Sequence, residues 1–412
     1  MRRALASLAA AAIAFTGIAL AAPGAQAATG GPLSPYAFGM QVPGIANGVD
    51  PSAAYGSVRL WDAGVAWGQV EQSRGQFWWD GLDHAIQGAN AQRVGTLYVL
   101  GSTPTWAATN PKQGTYPNPG AASMPNMQDW TDWVTAVSKR YANSIESYQI
   151  WNEANLQTFW QGTPAQMAQL TAAAAQIIKT NDPTARIVAA STTVRMQSAY
   201  KKFFPAYLKE LAKLGWPITD VSAHFYPAGP GTPATRAQFI GQVQADMRKA
   251  GVPATVGLWD TEINYGIAGP AKSDKHKNID GTTAAAYGAQ TYLDDIRLGV
   301  GRAYWYSWNG SPTLLGIPMQ PGSTAATAYT TVATWLKGAF YSCTTAQVNT
   351  CQTGDNNTPE LMAWASGKPG PFVVPQRAVI TCNALNQCSP VTPGAKMTIG
   401  SMPQWFGTVA PK

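Results

Sequence analysis

Residues 147–190 read SYQIWNEANLQTFWQGTPAQMAQLTAAAAQIIKTNDPTARIVAA. The opening Ser147–Trp151 is a short apolar run. Thr163 and Pro164 then supply a capping hydroxyl and a proline suited to a first helical position, and helical spacing continues to about Asn181. Arg186–Ala190 is apolar again. Strand, helix and strand in such close succession form a βαβ unit, which requires parallel strands.

The same alternation extends in both directions. Upstream, Ala37–Val42, Ser57–Trp61 and Val94–Leu100 read as strands; downstream, Asp220–Phe225, Ala254–Trp259 and Arg302–Ser307 do. Helical spacing marks Phe77–Gln92, Met127–Ala142, Tyr200–Leu214, Thr235–Ala250, Thr282–Leu298 and Thr324–Lys337. The last four of these stop at Gly215, Gly251, Gly299 and Gly338, as helices closed by a left-handed residue do. This makes eight apolar strands, each but the first followed by a helix. The expected fold class is α/β, a (β/α)8 TIM barrel, with an open doubly wound sheet as the alternative. After Gly338 the helical period is lost. Glu360–Ala365, Phe372–Val374, Ala378–Thr381 and Lys396–Ile399 are short strands between Gly, Pro and Asn. They predict a small β-rich, sandwich-like domain packed on the barrel, with a contribution from residues upstream of the first barrel strand as an option.

The expected division is 1–27 signal peptide, 28–338 barrel and 339–412 β domain. Residues 1–27 carry Arg2 and Arg3, an apolar run from Leu5 to Ala22 and the small-x-small site Ala25-Gln26-Ala27. Removing them takes two positive charges from a formal +7. The expected location is extracellular or on the cell envelope, without stable membrane insertion. Cys343, Cys351, Cys382 and Cys388 all lie in the last segment, with no CxxC spacing for zinc. In an exported chain they predict two local disulfides, Cys343–Cys351 and Cys382–Cys388.

Composition narrows the function. Of 412 residues only 12% are charged, whereas Trp and Tyr number 16 each. Such a surface suits neutral, ring-shaped ligands. It lacks the clustered basic face of a nucleic-acid binder. The three histidines, His84, His224 and His276, have no metal-ligand spacing, so neither metal nor cofactor is expected.

Barrel chemistry sits at the C-terminal ends of the strands. The fourth strand ends in Trp151-Asn152-Glu153 and the seventh in Asp260-Thr261-Glu262. Strands three apart in an eight-strand ring face each other across the mouth. Two facing carboxyls are what glycosidic cleavage needs: one protonated, to donate to the departing oxygen, and one ionised. A gap of about 5–5.5 Å implies retention of configuration, and about 6.5–9.5 Å inversion. Asp260 has the same strand parity as Glu262 and competes with it on position alone.

Trp-Asn-Glu at 151–153 and Thr-Glu at 261–262, each closing an apolar strand, resemble clan A of the glycoside hydrolases. Thr-Pro-Thr-Trp at 103–106, the Arg59 strand and the β-rich tail resemble family 39 and its relatives within that clan. The resemblance implies a retaining, double-displacement mechanism. It matches Glu153 to the acid/base and Glu262 to the nucleophile. It matches Asn152 to the sugar 2-hydroxyl, and Arg59 and Tyr226 to the groups that hold the nucleophile. His224 would line the same subsite, and Trp305 would be the stacking platform. Trp61 and Trp106 are further expected sugar contacts, among loop aromatics that include Trp67, Trp151, Trp160 and Trp308. The expected partner is a poly- or oligosaccharide, cut internally within an envelope polysaccharide, with the chain a monomer. An exo-acting β-xylosidase-like enzyme, a transglycosylase and a non-catalytic carbohydrate-binding barrel are the alternatives.

Overall fold

A computed structural model describes residues 33–227, 229, 231–311, 313–336, 342–353 and 360–411. The expected signal peptide and the segment at Gly338 lie outside these residues. The eight expected strands form β1 (Phe38–Gln41), β2 (Ser57–Leu60), β3 (Gly95–Val99), β4 (Ser147–Gln149), β5 (Arg186–Val188), β6 (Asp220–His224), β7 (Gly257–Ile263) and β8 (Arg302–Trp305). They close into a barrel in the order β1-β8-β7-β6-β5-β4-β3-β2. All pairings are parallel. Nearly every barrel-strand residue is buried, as it must be with side chains in the barrel and helices outside.

Besides short turns at Ile45–Asn47 and Trp67–Val70, the helices that wrap the barrel are α1 (Asp80–Ala91), α2 (Met127–Arg140), α3 (Pro164–Asn181), α4 (Gln197–Lys213), α5 (Pro233–Ala250), α6 (Gly281–Leu298) and α7 (Thr324–Trp335). At the start of α3, Thr163 Oγ1 accepts from Gln166 N at 3.1 Å, and Gln166 Oε1 accepts from Thr163 N at 2.8 Å. This reciprocal cap satisfies two otherwise unpaired amides. Gly251 and Gly299 close α5 and α6 at φ 74° and 72°, where a Cβ would be strained.

Two local expectations change. The helix predicted from Phe77 starts at Asp80, because Gln76–Phe77 pairs with Glu71–Ser73 in a hairpin turned at Gly75, φ 74°. Phe77 stacks on Trp79 with ring centroids 4.7 Å apart, and Trp79 stacks on Trp133, so burial in an aromatic column outweighs the helical period there. The seventh strand runs Gly257–Ile263, later than the predicted Ala254–Trp259.

Beyond the barrel come β9 (Ser342–Thr344), β10 (Asn349–Thr353), β11 (Glu360–Trp364), β12 (Gly370–Val373), β13 (Ile380–Asn383), β14 (Cys388–Pro390), β15 (Lys396–Ile399) and β16 (Gln404–Gly407). They form an antiparallel sheet ordered β9-β10-β11-β16-β13-β14 and a β12-β15 pair. Among the described residues no strand upstream of β1 joins them, and residues 1–32 lie outside that description. Disulfides join Cys343 to Cys351 and Cys382 to Cys388, each across directly opposed residues of adjacent strands. The module packs on α6. Trp364 Nε1 donates to Asp294 Oδ1 at 3.1 Å, and Arg297 Nη1 donates to Thr345 Oγ1 at 2.9 Å. No helix among the described residues is long and apolar enough to cross a membrane.

Candidate active site

A local irregularity in β7 positions one of the two glutamates. Between Asp260 and Glu262 the pairing with β6 advances two residues on β7 for one on β6, from Ala223↔Asp260 to His224↔Glu262. The pairing with β8 gains an extra β7 residue at the same place. This bulge breaks the parity that made Asp260 a competitor. Asp260 instead binds the helix layer: Arg236 of α5 donates to its Oδ2 from Nε at 3.0 Å and Nη2 at 2.7 Å. Arg236 also holds Asp295 of α6. Asp260 is therefore a structural ion-pair partner.

Glu262 turns into the barrel mouth and meets Arg59 of β2. Arg59 is fully buried and donates from every nitrogen of its guanidinium. Nη1 donates to Glu262 Oε1 at 2.5 Å and to Gln41 Oε1 at 3.0 Å. Nε donates to Gln149 Oε1 at 2.9 Å, and Nη2 to Asn152 Oδ1 at 2.8 Å. This fan of acceptors from three other strand ends fixes the cation, and the cation fixes the carboxylate. Tyr226 donates its hydroxyl to the second oxygen, Glu262 Oε2, at 2.8 Å. Glu262 is thus paired on both oxygens.

Glu153 follows β4 at φ 38°, a left-handed conformation uncommon for a glutamate. Its amide donates to Ser191 Oγ at 2.9 Å, which anchors the turn to the segment after β5. Burial pushes its carboxyl up to about 7, with Asp62 adding to the rise and Arg195, Thr193 and Arg59 opposing it. The negative neighbour that adds is Asp62, and burial does most of the raising.

His224, at the end of β6, stands between the two carboxyls. Its Nδ1 is 3.0 Å from Glu153 Oε1 and 3.4 Å from Glu262 Oε2. Burial lowers its pKa to about 3, so the ring is neutral and carries one proton. Nε2 has no hydrogen-bond partner among the described residues, and two acceptors surround Nδ1, which favours the proton there. One oxygen of each glutamate and a ring nitrogen of His224 all lie within 4.8 Å of one another. Such a set can ligate a cation, but both Glu262 oxygens already accept from Arg59 and Tyr226.

Of the remaining expected residues, Asn152 joins the cluster through Arg59. Trp61 is buried with its ring 6.0 Å from the Arg59 guanidinium carbon and edge-on to Phe159. Trp305 is fully buried beside Tyr265, at 6.3 Å between centroids, and has no face open to solvent. Trp106 is half-buried: it packs on Trp67, donates Nε1 to Glu71 O at 3.0 Å and lies beside Arg74. Trp67, Trp151, Trp160 and Trp308 are buried as well, so most of these loop aromatics build the outer core.

Several site groups were not foreseen. Asp62 of the segment after β2 accepts from Tyr306 Oη at 2.9 Å and from the Tyr116 hydroxyl. With Trp61 and Tyr116 it borders a hollow of about 100 Å3. Gln41, Gln149 and Ser191 hold Arg59 and Glu153 in place. The available signal was position: each of these except Tyr116 stands at or just past the C-terminal end of a barrel strand.

No protein-family model matches the chain, and no curated protein matches it. Solved structures do. A monomeric β-xylosidase from Caulobacter crescentus CB15 is 16% identical with a TM-score of 0.62, the match covering 92% of this chain and 97% of that one. The GH39 enzyme from Xanthomonas axonopodis pv. citri gives 16%, 0.62, 92% and 95% in the same terms. A GH30 endoxylanase from Clostridium papyrosolvens C71 gives 14%, 0.59, 92% and 97%. At such identities the likeness is one of fold, and the fold agrees with the resemblance to clan A and family 39 read from the sequence.

Proposed function

We propose that the chain is a retaining glycoside hydrolase acting on a poly- or oligosaccharide, with Glu153 as acid/base and Glu262 as nucleophile. The supporting observation is the pair itself. Their nearest approach, within 4.8 Å, is short for inversion, where a water must fit between base and sugar. Their environments are also split as the chemistry requires, one carboxyl raised to about 7 by burial and the other paired to a buried arginine.

The steps follow from those environments. Neutral Glu153 gives its proton to the glycosidic oxygen as the bond from that oxygen to the anomeric carbon breaks. Glu262 closes a new bond to that carbon from the opposite face. Glu153, now ionised, takes a proton from water; the water oxygen attacks the anomeric carbon, and Glu262 leaves. Arg59 and Tyr226 aim Glu262, and Asn152, held by Arg59, presents its amide NH2 to the sugar 2-hydroxyl. His224 accepts no proton in this scheme: it occupies Glu153 Oε1 and leaves Oε2 to carry the acidic proton.

Residues 1–27, read as an export signal, and two disulfides suited to an oxidising compartment support action outside the cytoplasm, where an envelope glycan would be within reach. The test is a panel of 4-nitrophenyl glycosides and envelope polysaccharides. Release from at least one is expected. Binding of glycans without release from any would favour the non-catalytic reading.

A further inference from the structure

A cavity of about 980 Å3 begins at Ala154 and Asn155, the two residues after Glu153. It runs past Arg195 to α4 and α5. Trp160, Met196, Phe203 and Phe239 give it a mostly apolar wall. Among the described residues two cations line it, Arg195 and Lys202, and no Asp or Glu does. Arg195 is tied to the acid electrostatically: its charge is the main influence opposing the rise of the Glu153 carboxyl. Its Nη1 donates to the carbonyls of Ala268 and Gly269 at 2.8 and 3.3 Å, which fixes the guanidinium at the rim.

The cavity's size and chemistry describe its occupant. Its volume is at the upper end of the roughly 300–1,000 Å3 usual for small-molecule sites. Apolar atoms make up most of the exposed wall, although Asn155, Gln157, Gln161, Thr163, Gln197 and Ser198 also reach it, so a glycan hydroxylated on every edge matches it less well than a largely apolar ligand. Two cations without a facing carboxylate select for negative charge.

We propose that this cavity receives the leaving group, and that the leaving group is an amphiphile: an apolar body carrying an anionic group that sits at Arg195 and Lys202. The proposal rests on the reading of Glu153 as the acid. The bond cut would then be the one joining a glycan to an apolar, negatively charged anchor. The glycan would lie on the Trp61 side and the anchor in the cavity.

The test is calorimetric titration of the full chain at pH 6 with 6-phenylhexanoate, 6-phenylhexan-1-ol and 6-phenylhexylammonium. The carboxylate should bind about tenfold tighter than the ammonium, with the alcohol between them. Lys202→Glu, at an exposed position, should erase the preference for the carboxylate and leave the alcohol unchanged. Phe239→Ala, confirmed as folded by its thermal transition, removes apolar wall without changing charge and should weaken all three probes. Equal affinity for the three, no binding, or indifference to Lys202→Glu would overturn the proposal. If glycosides are cleaved and no probe binds, this inference fails alone. If the probes bind in the expected order and no glycoside is cleaved, the glycosidase reading fails and takes the leaving-group assignment with it.

Discussion

Glu262→Ala is expected to lower kcat/KM for an activated aryl glycoside by about 10⁵-fold, the scale seen when a covalent nucleophile is removed. The reason is the uniqueness of its placement. The β7 bulge aims Glu262 into the mouth and sends Asp260 to Arg236, so Asp260 cannot take over. Azide, small and anionic, should fill the gap and restore part of the rate, giving a glycosyl azide of inverted configuration. Near-normal turnover would remove the assignment. The substitution also strands a buried cation. Breaking such a pair costs about 3–5 kcal/mol, although Gln41, Gln149 and Asn152 still accept from Arg59. Glu262→Gln, which keeps the shape and one acceptor, separates lost chemistry from lost fold.

Glu153→Ala is expected to behave differently on different substrates. Poor leaving groups, which need a proton, should lose about 10²–10⁴-fold in kcat/KM, the usual contribution of a general acid. A 2,4-dinitrophenyl glycoside needs no such help and should lose little. The pH profile carries the same signature. A carboxyl raised to about 7 is protonated, and active, below that pH, so wild-type kcat/KM should hold at mildly acid pH and fall as pH rises through about 7. In the variant that alkaline fall should vanish on the activated substrate. Equal losses on both substrates would remove Glu153 as the acid.

The barrel was legible because its signals are local. Capping at Thr163-Pro164, helix-closing glycines and apolar strands are each decided within a few residues. The two glutamates were legible because strand ends are where barrels carry chemistry. The assignments of Arg59 and Tyr226 came from family resemblance. The structure brings both onto Glu262 and adds their partners, which lie on other strands. The β7 bulge was invisible, since a bulge exists only in relation to the strands beside it. Asp62, Tyr116 and Tyr306 meet from three separate loops, and nothing in their spacing links them. Tryptophans were ambiguous for a related reason: Trp67 and Trp305 are large enough to serve packing or sugar binding, and their burial is set by neighbours distant in sequence.

The central claim is that Glu153 and Glu262 act as a close pair through a covalent intermediate. Proton NMR of the first-formed product, recorded before mutarotation on whichever glycoside the panel identifies, tests it most directly. Retention of the anomeric configuration is the expected result; an inverted first product would contradict the account.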